Sequence, residues 1–88
     1  MKINFQNQDI TIYFAENLAY LLKKNHLSYK NFILELGYDV DQIYLVGKWV
    51  NGLDTPKLED LIKTAIIFQI SLEEMITVNL KLKDSIKH

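Results

Sequence analysis

Two side chains in this sequence have the chemistry of base-edge readers, and they stand six positions apart. Gln42 carries an amide that can pair with adenine through two hydrogen bonds, and Lys48 carries an ammonium that can donate to the acceptors of guanine. Tyr44 lies between them. Catalytic chemistry finds far less. The only histidines are His26 and His88, and His26 sits where a helix is expected to end. Ser28 and Ser71 stand where helix caps are expected, which gives them a structural task. Asp39-x-Asp41 resembles the opening of a calcium loop, but the sixth position is Tyr44 instead of Gly and the twelfth is Val50 instead of Glu. With no cysteine there is no thiolate metal site and no disulfide. No glycine-rich phosphate loop is present. Neither an enzyme, a metal nor a cofactor is expected.

The elements that must position these residues follow from apolar spacing and from capping residues. The chain has 88 residues, enough for one small domain spanning 1–88. Ile3 and Phe5 alternate with Lys2, Asn4 and Gln6, a short strand pattern over about 2–6, and Gln6-Asn7-Gln8-Asp9 reads as a turn. From about Ile10 the period becomes helical: Phe14, Leu18, Leu21 and Leu22 share one face, and Lys23 and Lys24 suit the negative end of the helix. Ser28 caps a second helix, about Tyr29 to Leu36, that stops at Gly37. A third starts near Asp39 or Asp41 and runs to Asn51, where Gly52 stops it. Thr55-Pro56 opens a fourth, with Thr55 as cap and Pro56 in the first turn. Ser71-Leu72-Glu73-Glu74 is a capping box for a fifth that ends near Ile76. The helical core thus covers about 10–76. Val78, Leu80 and Leu82 alternate with lysines and Asn79, which predicts a second strand over about 77–83. That strand is expected to pair with the first, either within one chain or across a dimer, because two strands alone are marginal.

Charge narrows the partners. All ten basic residues are lysine, against eleven acids, for a net charge of −1. From Ser28 to Lys57 the three lysines Lys30, Lys48 and Lys57 face four carboxylates, Glu35, Asp39, Asp41 and Asp54. Phosphate neutralisation supplies most of the affinity of a nucleic-acid binder, so this balance favours weak binding unless two copies act together. No stretch is long and apolar enough to cross a bilayer and no signal-like leader opens the sequence, so a cytoplasmic, membrane-free protein is expected.

The run Val46-Gly47-Lys48-Trp49-Val50-Asn51-Gly52, with Leu27-Ser28, Leu36-Gly37 and Pro56-Lys57-Leu58-Glu59-Asp60-Leu61-Ile62-Lys63 through Glu73-Glu74-Met75-Ile76, resembles the helix-turn-helix domain of the Cro/CI-type (XRE) repressor family. The likeness covers Phe14 to Ile76. It implies a mainly α, five-helix lambda-repressor-like domain with short terminal β-strands. It also implies a homodimeric, sequence-specific transcriptional regulator of bacterial or phage origin, with its recognition helix, about 41–51, in the major groove of double-stranded DNA. By that resemblance Gln42 and Tyr44 face bases, Lys48 follows one turn later, and Asn51 and the backbone beyond Gly52 touch phosphate. Lys30 reaches the DNA backbone, and Tyr29 stands where family members often carry a phosphate-binding Gln. That Tyr29 is one departure from the family, and Asp39 and Asp41, which place negative charge where the helix would approach phosphates, are another; two more lie in the turn and the recognition helix. Eight residues separate Gly37 from Val46 where about five are usual, and Ile43-Tyr44-Leu45-Val46 is mostly apolar where the family is polar. Trp49 is expected to pack helix three on the core. Tyr44 with Leu45 supports a second reading, in which the same scaffold binds a protein as an antirepressor or inhibitor.

Overall fold

The computed structural model describes residues 7–86, with side chains from Tyr13 onward. Among these residues the chain forms six α-helices and a single 3-10 turn: α1 (Asn7–Lys24), α2 (Tyr29–Glu35), the 3-10 turn (Val40–Gln42), α3 (Tyr44–Val50), α4 (Leu58–Phe68), α5 (Leu72–Thr77) and α6 (Leu80–Ile86). The architecture is mainly α, as expected.

The apolar stripe of α1 organises the packing. Phe14, Leu18, Leu21 and Leu22 are all buried, and α1 lies against α3, α5 and α6. Phe32, Ile33 and Leu36 of the α2 segment, Val46 and Trp49 of α3, Met75 of α5 and Leu80 of α6 complete the core. Phe68 at the end of α4 stacks on Phe32, with ring centroids 5.9 Å apart. Trp49 is a core residue, as the sequence predicts.

Each of the first four helices ends in the same closure. At His26, Gly37, Gly52 and Gln69 the backbone turns left-handed, with φ between 53° and 96°. The residue after each donates its N–H to a carbonyl five positions back, as in Leu27 to Leu22 at 2.9 Å and Leu53 to Lys48 at 2.9 Å. This double closure satisfies carbonyls that a helix end otherwise leaves unpaired. His26 has the cap-forming role expected of it.

The sixth helix replaces the expected second strand. Asn79 Oδ1 accepts from the N–H of Leu82 at 3.0 Å, which is an N-cap, and Leu80 alone points inward. Leu82 and Ile86 stay exposed, so of the alternating apolar residues Val78 is partly buried, Leu80 is buried and Leu82 faces solvent. Moreover, the N–H of Leu80, which a strand would offer to a ladder, donates instead to Asn17 Oδ1 at 3.0 Å. The first expected strand, about 2–6, lies outside the described residues. The expected turn at residues 6–9 is corrected where it is described: Asn7, Gln8 and Asp9 already belong to α1.

Helix four starts later than expected. Its N-cap is Lys57, without a side-chain cap, and Thr55 and Pro56 lie outside the helix. The backbone of Lys57 is extended (ψ 163°), so the helical turn begins only after it. Glu59 and Asp60 in the first turn supply the negative charge that the helix N-terminus favours. In α5 the expected cap is present, since Ser71 Oγ accepts from Glu74 N–H at 3.0 Å. The Glu74 carboxylate also pairs with Lys83 of α6, which holds it below the usual carboxylate range.

Asn17 sits on the buried face of α1 with 1% of its surface exposed. Its amide nitrogen donates to Met75 O at 2.6 Å and to Val78 O at 2.7 Å, while its oxygen accepts from Leu80 N–H. One side chain therefore satisfies the end of α5 and the start of α6. Removing it strands buried backbone groups, at about 1–3 kcal/mol each. Asn17→Ala is expected to lower unfolding free energy by about 3 kcal/mol or more, read from urea midpoints by circular dichroism. Asn17→Asp at neutral pH loses the donor and sets a carboxylate against two carbonyls, so it is expected to be no more stable than Asn17→Ala. A loss under 1 kcal/mol in both contradicts this role.

Candidate nucleic-acid interface

The candidate surface is built from α2, the 3-10 turn and α3. Ser28 opens α2: its Oγ accepts from Asn31 N–H at 3.1 Å, and Tyr29 and Lys30 stand exposed in the first turn. Phe32 and Ile33 anchor the helix from behind. At its end the left-handed Gly37 (φ 96°) reverses the chain, and Lys63 of α4 donates to the free carbonyl of Leu36 at 3.3 Å.

The chain then crosses from Gly37 to α3 on a latch. Tyr38 is half-buried, and its hydroxyl donates to Asp60 Oδ2 at 2.6 Å. Asp60 is 2% exposed, on the inner side of α4. The carboxylate acceptor, reinforced by burial, pushes the Tyr38 hydroxyl up to about 12. Tyr38 covers the turn and ties it to α4.

The expected recognition helix over 41–51 is in fact two pieces. Val40–Gln42 forms the 3-10 turn, and α3 proper runs from Tyr44 to Val50. This 3-10 turn takes up the extra residues between Gly37 and Val46. Gln42 stands on it, half-buried, and closes it: Gln42 N–H donates to Asp39 O at 2.9 Å and Gln42 Oε1 accepts from Asp39 N–H at 3.2 Å. The adenine-reading pair of Gln42 thus has its acceptor half engaged with the backbone.

In α3, Val46 and Trp49 face the core and fix the helix axis. Tyr44, Gly47, Lys48 and Asn51 fall at i, i+3, i+4 and i+7, the spacing of a single helix face, and this face is turned outward. Tyr44 is 57% exposed, and Lys48 Nζ stands 5.9 Å from its ring centroid, a cation–π contact that groups the two. Asn51 bonds back through Nδ2 to Gly47 O at 2.7 Å, so its side chain caps α3. A Cβ built at Gly47 would meet nothing within 4 Å. The fold therefore does not require glycine there.

Of the residues the sequence singles out, the structure joins Tyr44 and Lys48 on α3 with Asn51 at its C-cap and sets Gln42 apart on the 3-10 turn. Tyr29 and Lys30 belong to α2. Leu45 is partly buried against the core, so the exposed apolar residues at the front of α3 are Val40, Ile43 and Tyr44. Glu35, Asp39, Asp41 and Asp54 are all exposed along the same stretch. Sequence reasoning missed the Tyr38–Asp60 latch, although a signal exists: Asp60 and Thr64 lie i, i+4 on the inner side of helix four. Both are buried, and Thr64 Oγ1 donates to Asp60 O at 2.7 Å. Among the described residues no group of three His, Cys, Asp or Glu side chains could hold a metal, and no helix is long and apolar enough to cross a membrane.

No protein-family model matches the chain, and no curated protein or solved structure is significantly similar to it.

The latch has a measurable pH signature. A phenol whose pKa rises from 10.0 to about 12 on folding stabilises the fold while it is protonated. That contribution is complete below the unfolded pKa and is lost as pH rises through the folded one. Tyr38→Phe leaves a buried carboxylate oxygen without its donor and is expected to cost about 1–3 kcal/mol at neutral pH. The difference between wild type and Tyr38→Phe should stay constant up to about pH 9 and shrink between pH 10 and pH 12, where only wild type has a Tyr38 proton to lose. A difference that does not change up to pH 12, followed by denaturant titration, contradicts the latch.

Proposed function

We propose that the chain is a DNA-binding regulator that reads double-stranded DNA with the outward face of α3. The observation that carries this reading is Gly47. A glycine inside a helix costs about 0.5–1 kcal/mol relative to alanine, and here a methyl group would meet open space. Nothing inside the fold compensates for that loss. A surface that must come close to another backbone does, because the missing side chain lets the helix sink toward its target. Beside it, Lys48 offers donors to base or phosphate acceptors. Lys30 and Tyr29 stand in the first turn of α2, where the resemblance implies a phosphate contact, and the four exposed carboxylates keep the affinity low.

A second reading rests on a specific observation. Val40, Ile43 and Tyr44 are 45%, 37% and 57% exposed, an apolar group at the front of α3 that suits a protein contact. In this reading the same scaffold holds a regulator protein instead of a duplex.

Fluorescence anisotropy with duplex DNA separates the two. Three lysines line this stretch, so the expected dependence of log K on log salt has a slope of about −3 per chain. Lys30→Ala and Lys48→Ala should each reduce its magnitude by about 1. Gly47→Ala should raise folding stability by about 0.5–1 kcal/mol and yet weaken binding. Absence of binding at low salt by folded protein overturns the DNA reading. The protein reading then expects Tyr44→Ala with Ile43→Ala to release a bound partner.

A further inference from the structure

The outer face of α4 has no partner in the fold. Leu58, Ile62 and Ile66 stand at i, i+4 and i+8 and are 63%, 43% and 69% exposed. The helix does not need them for its own packing, which runs through Asp60, Thr64 and the half-buried Phe68 on the far side and through Ala65 and Leu61 on one flank. The row is symmetric about Ile62: reversing the helix direction exchanges Leu58 with Ile66 and leaves Ile62 in place. Such a row can meet a second copy of itself across a two-fold axis, where the surface must be its own complement.

The charges beside the row obey the same symmetry. At 3.6 residues per turn, Glu59 and Lys63 lie on one flank of Ile62, and they pair with each other at 3.1 Å. At about 1.5 Å rise per residue, Glu59 is about 4.5 Å to one side of Ile62 along the axis and Lys63 about 1.5 Å to the other. A two-fold axis through Ile62 therefore brings Glu59 of the partner subunit within about 3 Å, along the axis, of Lys63. Opposite charges meet on this flank at both ends of the contact. A parallel pairing would lose this match.

We infer that α4 is a homodimer interface, in which two copies pack antiparallel along Leu58, Ile62 and Ile66 with Lys63 facing the partner's Glu59. This goes beyond the DNA reading and does not depend on it. The row is on the order of 300 Å² per chain, the size of the largest apolar patch on a typical monomer. Two such rows bury about 600 Å² in total, below the lower edge of specific stable interfaces. The dimer is accordingly expected to be a weak one that forms in the micromolar range.

Sedimentation equilibrium of the full chain, without DNA, tests this from low micromolar to near-millimolar concentration. Wild type is expected to shift from monomer to dimer. Ile66→Glu and Leu58→Glu, at positions more than half exposed in the fold, should each raise the dissociation constant about tenfold or more, with helicity by circular dichroism unchanged. The flank supplies a second test. E59K makes it wholly positive and K63E, which also removes the Lys63 donor to the Leu36 carbonyl, wholly negative, so each variant alone, with helicity by circular dichroism unchanged, should associate more weakly than wild type. Their equimolar mixture should associate more tightly than either. A wild type that stays monomeric throughout, a dimer unaffected by Ile66→Glu and Leu58→Glu, or a mixture no tighter than its components overturns the inference.

Discussion

A single buried amide holds the two ends of this fold together. Asn17 lies on the same face of α1 as Phe14, Leu18 and Leu21, so it is desolvated whenever those residues are buried. A polar group in that position is costly unless every hydrogen bond is made. Here Met75, Val78 and Leu80 supply two acceptors and one donor, at 2.6–3.0 Å. These partners are the unsatisfied backbone groups at the junction of α5 and α6, which would otherwise need water. The amide and the junction therefore resolve one another. Since α1 packs against α3 as well as α5, the position of the outward face of α3 depends on the helix that this amide anchors.

Much of this arrangement is legible in the sequence because its signals are local. The apolar period of α1, the Ser28 and Ser71 caps and the Gly37 and Gly52 stops each act within a few residues, and each appears where the sequence predicts it. The inward role of Trp49 follows from its spacing three after Val46. What escapes such reading is non-local. The tail from Val78 to Leu82 has a two-residue alternation, and only the distant Asn17 decides that Leu80 starts a helix. Likewise the Tyr38 hydroxyl finds Asp60 twenty-two positions away. The split of the third helix depends on Gln42 closing a turn on Asp39, a pairing that helical period does not report.

The candidate surface carries opposing tendencies. Gly47 and Lys48 suit close approach to an anionic duplex, whereas Val40, Ile43 and Tyr44 suit an apolar surface, and the carboxylates of Asp39 and Asp41 oppose phosphate. Such a mixture limits non-specific attraction. A surface without a strong positive field gains little from phosphate alone, so discrimination must come from shape and from the few donors in place. The cation–π contact between Lys48 and Tyr44 contributes by holding the ammonium near the ring and reducing its rotameric freedom before any partner arrives.

The left-handed closures that end α1, α2, α3 and α4 are each complete within six residues, so these four helices can form and stop as the polypeptide is synthesised. The clasp on Asn17 cannot. Its partners begin fifty-eight positions later and extend to sixty-three. A nascent chain that has left the ribosome as far as α4 still exposes an unsatisfied amide on the central helix. The tertiary contact at Asn17 therefore waits for Leu80, and a fragment ending before it would carry its helix stops without this closure of the core.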